Sequence, residues 1–257
     1  MRSKLIYGIL LSLLIGTKLY AQTDTLFWFV APYNSTGHCA GATCPGGQPV
    51  LFRISTMNLA STVTISQPAN PAFTPIILNI PANSTVSYDI TARLNMLENV
   101  PANNVNNYGI KIQSTNLITV YYEVNQWYNP EIYALKGKNA LGTKFYISSQ
   151  NTWNNGSYTP QPYSSFEIVA TQDNTTVTIT VSNAIIGHAA GSTFTITLNK
   201  GQTYSAKATS QTAANHLQGS KVESDKPIAI TISDDSVAKD GCRDLIGDQT
   251  IPVSICG

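Results

Sequence analysis

The sequence predicts an all-β chain of tandem immunoglobulin-like antiparallel β-sandwich repeats. Three observations predict it: segments repeated in the same order, apolar residues alternating with period two, and turn residues between the runs. Residues 109–120 read GIKIQSTNLITV and residues 219–230 read GSKVESDKPIAI. Upstream, STVTIS at 61–66 is echoed by TTVTIT at 175–180, and FTPIILNI at 73–80 by FTITLNK at 194–200. TLFWFVAP at 25–32 is echoed by TKFYISSQ at 143–150. Four matched segments in one order indicate a duplicated structural unit.

The chain begins with export grammar. Arg2 and Lys4 precede an apolar run from Leu5 to Ile15, and Ala21 offers a small residue for cleavage. This predicts a signal peptide over 1–21. The apolar run is too short for a comfortable span of about 20 residues. Without Arg2, Lys4 and Lys18 the chain carries 12 bases against 14 acids. So sparse a charge gives no footprint for nucleic acid and predicts no membrane insertion once the leader is removed.

The first repeat is expected over 22–124. Val63 and Ile65 alternate with threonines, followed by Ile76, Leu78 and Ile80, then Val86, Tyr88 and Ile90, and later Ile110, Ile112, Ile118, Val120 and Tyr122. Alternation gives each strand one core face and one Thr/Ser/Asn face. A linker is expected over 125–141 and the second repeat over 142–234. There Val177, Ile179 and Val181 alternate, then Phe194, Ile196 and Leu198, then Tyr204, Ala206 and Ala208, then Ile228, Ile230 and Ile232. Pro81-Ala82-Asn83, Asp173-Asn174, Asn199-Lys200-Gly201 and Asp225-Lys226-Pro227 read as turns between strands. Residues 92–98 could form a single helical turn. A unit of about seven strands in about 110 residues suits a sandwich. A β-propeller-like arrangement is the alternative, although one blade takes only about 40–50 residues.

Residues 235–257 form the junction after the second repeat. Leu135 and Leu245 are expected at similar points, and Gly142 corresponds to Gly257. The pattern therefore predicts a third copy beyond Gly257.

Four cysteines follow the leader: Cys39, Cys44, Cys242 and Cys256. An even count in an exported chain predicts disulfides. Three pairings are open, and proximity suggests Cys39–Cys44 and Cys242–Cys256. His38 beside Cys39 raises zinc, which the oxidising compartment and wide spacing argue against. Asp234, Asp235 and Asp240 are calcium candidates, because carboxylates converging on a junction can ligate a hard cation. Their spacing does not follow the EF-hand pattern, and no metal or other cofactor is expected.

Flat aromatic faces beside amides suit a sugar or protein surface. Trp127 and Tyr128 adjoin Asn125, Gln126 and Asn129. Trp153, Tyr158 and Tyr163 lie near Asn154 and Asn155. Packing at the repeat junction is the competing role for these aromatics. No G-x-S-x-G elbow, phosphate-cradling loop or H-E-x-x-H pattern occurs. His188 lies in a small-residue loop and reads as bonding local backbone. A carbohydrate-active enzyme would need two carboxylates about 5–10 Å apart in an aromatic-lined cleft. The sequence alone does not display such a pair, so a non-enzymatic chain is expected.

The runs FEIVATQDNTTVTITV at 166–181, FTITLNKGQTYSAKA at 194–208 and LQGSKVESDKPIAIT at 217–231 resemble the IgGFc-binding protein N-terminal domain family. GCRDLIGDQTIPVSICG at 241–257 is similar to that family's closing segment, and ALKGKNALG at 134–142 to its bacterial exported branch. The resemblance implies a secreted or cell-surface binding or adhesion module. Its partner would be a host or matrix protein or a glycan. A passive spacer in a longer surface protein is the alternative.

Overall fold

The computed structural model describes residues 22–38, 49–126, 129–157 and 159–255. The leader over 1–21, Cys39, Cys44, Cys256, Trp127, Tyr128 and Tyr158 lie outside the described residues. The fold is all-β, with two antiparallel sheets.

The first half supplies β1 (Asp24–Phe29), β2 (Val50–Thr56), β3 (Ser61–Ser66), β4 (Ile76–Ile80), β5 (Thr85–Asp89), β6 (Val105–Asn106), β7 (Ile110–Val124) and β8 (Glu131–Ala134). The second supplies β9 (Gly142–Tyr146), β10 (Ser164–Ala170), β11 (Thr175–Thr180), β12 (Thr193–Leu198), β13 (Thr203–Lys207), β14 (Lys221–Lys239) and β15 (Cys242–Gln249). The expected helical turn is a 3-10 turn at Thr91–Met96.

The two sheets repeat one strand order. The first runs β4-β3-β7-β2-β5, with β1 and β8 also on β7. The second runs β12-β11-β14-β10-β13-β6, with β9 and β15 also on β14. The long strands β7 and β14 are the axes. Along β1, Leu26 faces Gln113 but Asp24 faces Ile118, so β7 takes five steps where β1 takes two. Along β9, Lys144 faces Glu223 but Gly142 faces Ile228, so β14 likewise takes five steps against two. Both axial strands therefore carry the same bulge.

That bulge corrects one expectation. Asp225-Lys226-Pro227 is no turn between strands but an irregularity inside β14. A proline without a backbone donor is tolerated at such a point. It also explains the duplicated serine. Ser224 Oγ donates to the Lys226 carbonyl at 2.7 Å, and Ser114 Oγ donates to the Asn116 carbonyl at 2.7 Å. The turns at Asn83, Asn174 and Gly201 stand, each with positive φ.

Each sheet wraps one apolar core. Phe27, Phe29, Phe52, Ile54, Val63, Ile65, Ile112 and Tyr122 belong to the first. Phe145, Phe166, Ile168, Val177, Ile179, Val222 and Ile230 belong to the second. Outward positions of β11 and β12 are threonines, and Thr180 and Thr193 bond across the strands at 2.9 Å.

The stretches read as linker and junction both carry strand. β8 pairs with the end of β7, and β15 with the end of β14. Leu135 N donates to the Val120 carbonyl as Thr250 N does to the Ile230 carbonyl. Thr250, not Leu245, is thus the counterpart of Leu135. Leu245 is buried and joins the first core. It arrives there because β15 lies against β8, where Gly247 N donates to Glu131 Oε2 at 2.8 Å. A side chain at Gly247 would run into the Tyr133 ring.

A seam joins the halves. Trp28 and Val30 pack on Val169 and Ala229, flanked by Leu26 and Leu141. Gln249 spans it, with Nε2 donating to the Trp28 carbonyl at 2.7 Å and Oε1 accepting from Lys136 N at 2.8 Å. First-half residues 105 and 106 add β6 to the edge of β13. Among the described residues no helix is long and apolar enough to cross a membrane.

Candidate functional site

The seam opens into a cleft of about 380 Å³. The first half contributes Tyr33, Asn99, Val100, Pro101 and Ala102. The second contributes Pro160, Tyr163, Ser165, Glu167, Ile186, Ser205, Lys207 and Asp235. Neither half makes this cleft alone.

Three strands set its floor. Glu167 sits mid-β10 among residues that are all buried. It faces Ser205 on β13 and Thr231 on β14. Glu167 Oε1 accepts from Ser205 Oγ at 3.1 Å, and Oε2 accepts from Asn99 Nδ2 at 2.7 Å. Asn99 is itself fixed, its Oδ1 accepting from Thr203 Oγ1 at 2.8 Å and Asn106 Nδ2 at 2.9 Å. Burial pushes the Glu167 carboxyl up to about 7, against the pull of bonds from Ser165, Asn99 and Ser205 and the charge of Lys207.

Asp235 on β14 forms a second buried carboxylate. Its Oδ2 accepts from Ser35 N at 3.0 Å and its Oδ1 from Asn129 Nδ2 at 2.7 Å. Burial also raises its pKa. Lys207 ends β13, its ammonium 4.8 Å from the Tyr163 ring and 5.4 Å from the Tyr33 ring. Burial lowers the Lys207 pKa, while Asp235 and Glu167 counter that shift. Burial, then the charges of Glu98 and Asp235, push Tyr33 up to about 12.

Perturbed ionisable groups gathered in a concave, aromatic-walled space mark a functional-site candidate. The floor offers ammonium donors and carboxylate acceptors. Its charges nearly cancel when Glu167 holds its proton.

The residues singled out in the sequence fall differently. Tyr163 lines the cleft, whereas Trp153 does not. Trp153 is exposed, with the Lys239 ammonium 5.1 Å from its ring and its carbonyl accepting from Gln150 Nε2. Asp234 and Asp235 alternate along β14 into different networks. Asp234 Oδ1 accepts from Asn155 Nδ2 at 2.8 Å. Its Oδ2 takes Gln150 Nε2 at 2.7 Å and lies 2.9 Å from His216 Nδ1. Asp240 sits at positive φ at the β14–β15 turn. Among the described residues no group of three metal-ligating side chains forms, so the calcium candidates do not converge. Cys242 opens β15 as an exposed residue.

His188 does more than bond local backbone. It stacks on Phe194 at 3.5 Å, and its Nε2 lies 3.1 Å from Asn103 Oδ1, across the seam. His216 is fully buried, and its nitrogens face acceptors on both sides: Asp234 and the Gln150 carbonyl at Nδ1, the Gln211 carbonyl at Nε2. Burial disfavours its charge, but Asp234 and the Gln211 and Gln150 carbonyls together outweigh that and raise its pKa above the ordinary 6.5.

Glu167, Lys207, Tyr33 and Asn99 were not singled out by sequence reasoning. One signal was available: Glu167 is a lone acid inside an apolar run, at the position where β2 has Arg53.

No curated protein and no solved structure matches the chain. Residues 133–257, from within β8 through the whole second half, match the family model described as IgGFc binding protein.

Proposed function

We propose that this chain is a secreted or cell-surface binding module that recognises a host or matrix protein. In this reading it works in adhesion, without catalysis, and its sheets are tandem immunoglobulin-like sandwiches of the bacterial exported branch. The cleft between the sheets carries the proposal, because both halves must dock to build it. The family match over 133–257 supports a binding role. The cleft carboxylates support recognition over turnover. Both are almost wholly buried, and each oxygen of Glu167 and Asp235 already accepts a protein donor.

The test is capture of extracellular matrix and mucosal proteins on immobilised chain, with Ile186→Trp as the cleft-blocked control. Retention of a protein by the parent and its loss in the control is the expected result. Equal retention by both would remove the cleft from the reading, and no retention would favour a spacer.

A second reading has one observation in its favour. Glu167, with its carboxyl pushed up to about 7, shares a tyrosine-walled cleft with Asp235. Paired carboxyl groups of that kind serve glycoside hydrolysis. Release of nitrophenol from aryl glycosides, abolished by Glu167→Gln, would establish that reading over simple binding.

A further inference from the structure

We infer that the seam cleft is a subsite for a single neutral glycosyl unit, such as the terminal hexose of a glycoprotein. This deepens the binding-module reading and rests on it. Four features point to this chemistry.

The walls come first. Tyr33, Tyr163, Pro101 and Pro160 line the cleft and give it an aromatic and prolyl wall. Such faces suit the C–H face of a pyranose ring.

The floor is mixed in hydrogen-bond character. The Lys207 ammonium lies over the Tyr33 and Tyr163 rings, and among the described residues it donates to no oxygen, so an N–H turned away from the rings can meet an incoming acceptor. Each carboxylate has about four lone-pair directions. Glu167 spends two on Asn99 and Ser205, and Asp235 spends two on Ser35 and Asn129. A ligand able to donate and accept at adjacent atoms meets both needs. Ring hydroxyls are such groups.

Charge balance comes third. Lys207 faces Glu167 and Asp235 across one floor. A free carboxylate ligand would meet two acids, and an ammonium ligand would meet Lys207. A neutral polyol meets neither penalty.

Size is the fourth. A cavity of about 380 Å³ lies near the small end of ligand sites, which suits a ring or two and not a folded peptide. Ile186, 42% exposed, stands in its wall and gives a place to block it.

The experiment is saturation-transfer NMR on the full chain with four probes: methyl α-mannoside, methyl β-galactoside, methyl β-N-acetylglucosaminide and methyl α-fucoside. Transfer to the ring protons of at least one probe is expected. Lys207→Met and Tyr163→Ala should each raise its dissociation constant tenfold or more. Ile186→Trp should do the same without disturbing the floor, so the test survives if a floor variant fails to fold. Saturation of none of the four, or binding indifferent to Ile186→Trp, would overturn the site. Protein capture without glycoside binding would sink the sugar subsite alone. Glycoside binding without protein capture would keep the subsite and remove the protein-partner reading.

Discussion

Strands β2 and β10 hold the same place in their sheets, yet one carries Arg53 and the other Glu167. Arg53 lies opposite Ser87 and Tyr121, and Glu167 lies opposite Ser205 and Thr231. Arg53 pairs with Glu123 through two contacts, and its side chain is 43% exposed. Glu167 is 1% exposed. What lies beyond the next strand makes the difference. In the first sheet β5 is the edge, whereas in the second β6 from the first half covers β13 and Asn99 reaches Glu167. Duplicated strands give matching sheets; their docking gives one copy a buried acid and a cleft.

The largest expected effect comes from breaking the docking itself. A side chain at Gly109 would sit 2.5 Å from Val169 Cγ2 and 2.6 Å from the Gly201 carbonyl oxygen. Its counterpart Gly219 has open space but a positive φ of 78°. Chemical unfolding should show Gly109→Val losing about 3 kcal/mol or more. Gly219→Ala should lose about 1 kcal/mol, from backbone strain alone. Equal losses would mean that the halves do not press together at Gly109.

Leu245→Ala comes next, at about 3 kcal/mol for a buried leucine. Hydrogen exchange should speed up in β7 and β8 of the first half, because the Leu245 side chain belongs to that core. Faster exchange confined to the second sheet would contradict the seam.

Glu167→Gln separates the two sheets by pH. The Glu167 carboxyl stands near 7 in the folded chain against an ordinary 4.5. The folded state therefore keeps a proton that the unfolded state has released, and stability is lost as pH rises from about 4.5 to 7. The variant should be more stable than the parent at pH 8, by up to about 3 kcal/mol, and near parity at pH 4. Glu123→Gln, in the first-sheet pair whose Arg53 side is 43% exposed and whose Glu123 side is buried, should instead lose about 1–2 kcal/mol at pH 8, because it takes the charged partner from Arg53. Denaturant midpoints at both pH values decide it. A Glu167→Gln effect independent of pH would contradict the buried acid.

The smallest effect tests what the sheets share. Ser114→Ala and Ser224→Ala each remove a hydroxyl that bonds the bulge carbonyl, so each should cost about 1 kcal/mol. Unequal costs would mean that the two bulges are held differently.

Much of the fold was legible because local pattern encodes it. Alternating Val177 and Ile179, or Ile110 and Ile112, can bury one face only as strands. The axial bulge was not legible, because Asp225-Lys226-Pro227 has turn chemistry and only the pairing of β10 and β11 with one strand shows it to be continuous. Leu245 was misplaced for a related reason: matching spacing does not reveal which core a side chain enters. The site was the least legible part. Asn99 and Glu167 lie 68 positions apart, and no local rule links them. Tyr163 was visible as an aromatic among amides, but Lys207 looked like an ordinary strand end.

The central claim is that docking of the halves creates a chemical site absent from either sheet. Carbon-13 NMR titration of the Glu167 side-chain carboxyl in the full chain tests it most directly. The account predicts a midpoint near pH 7. A midpoint near the ordinary 4.5 would contradict it, showing Glu167 open to solvent and the seam not closed over it.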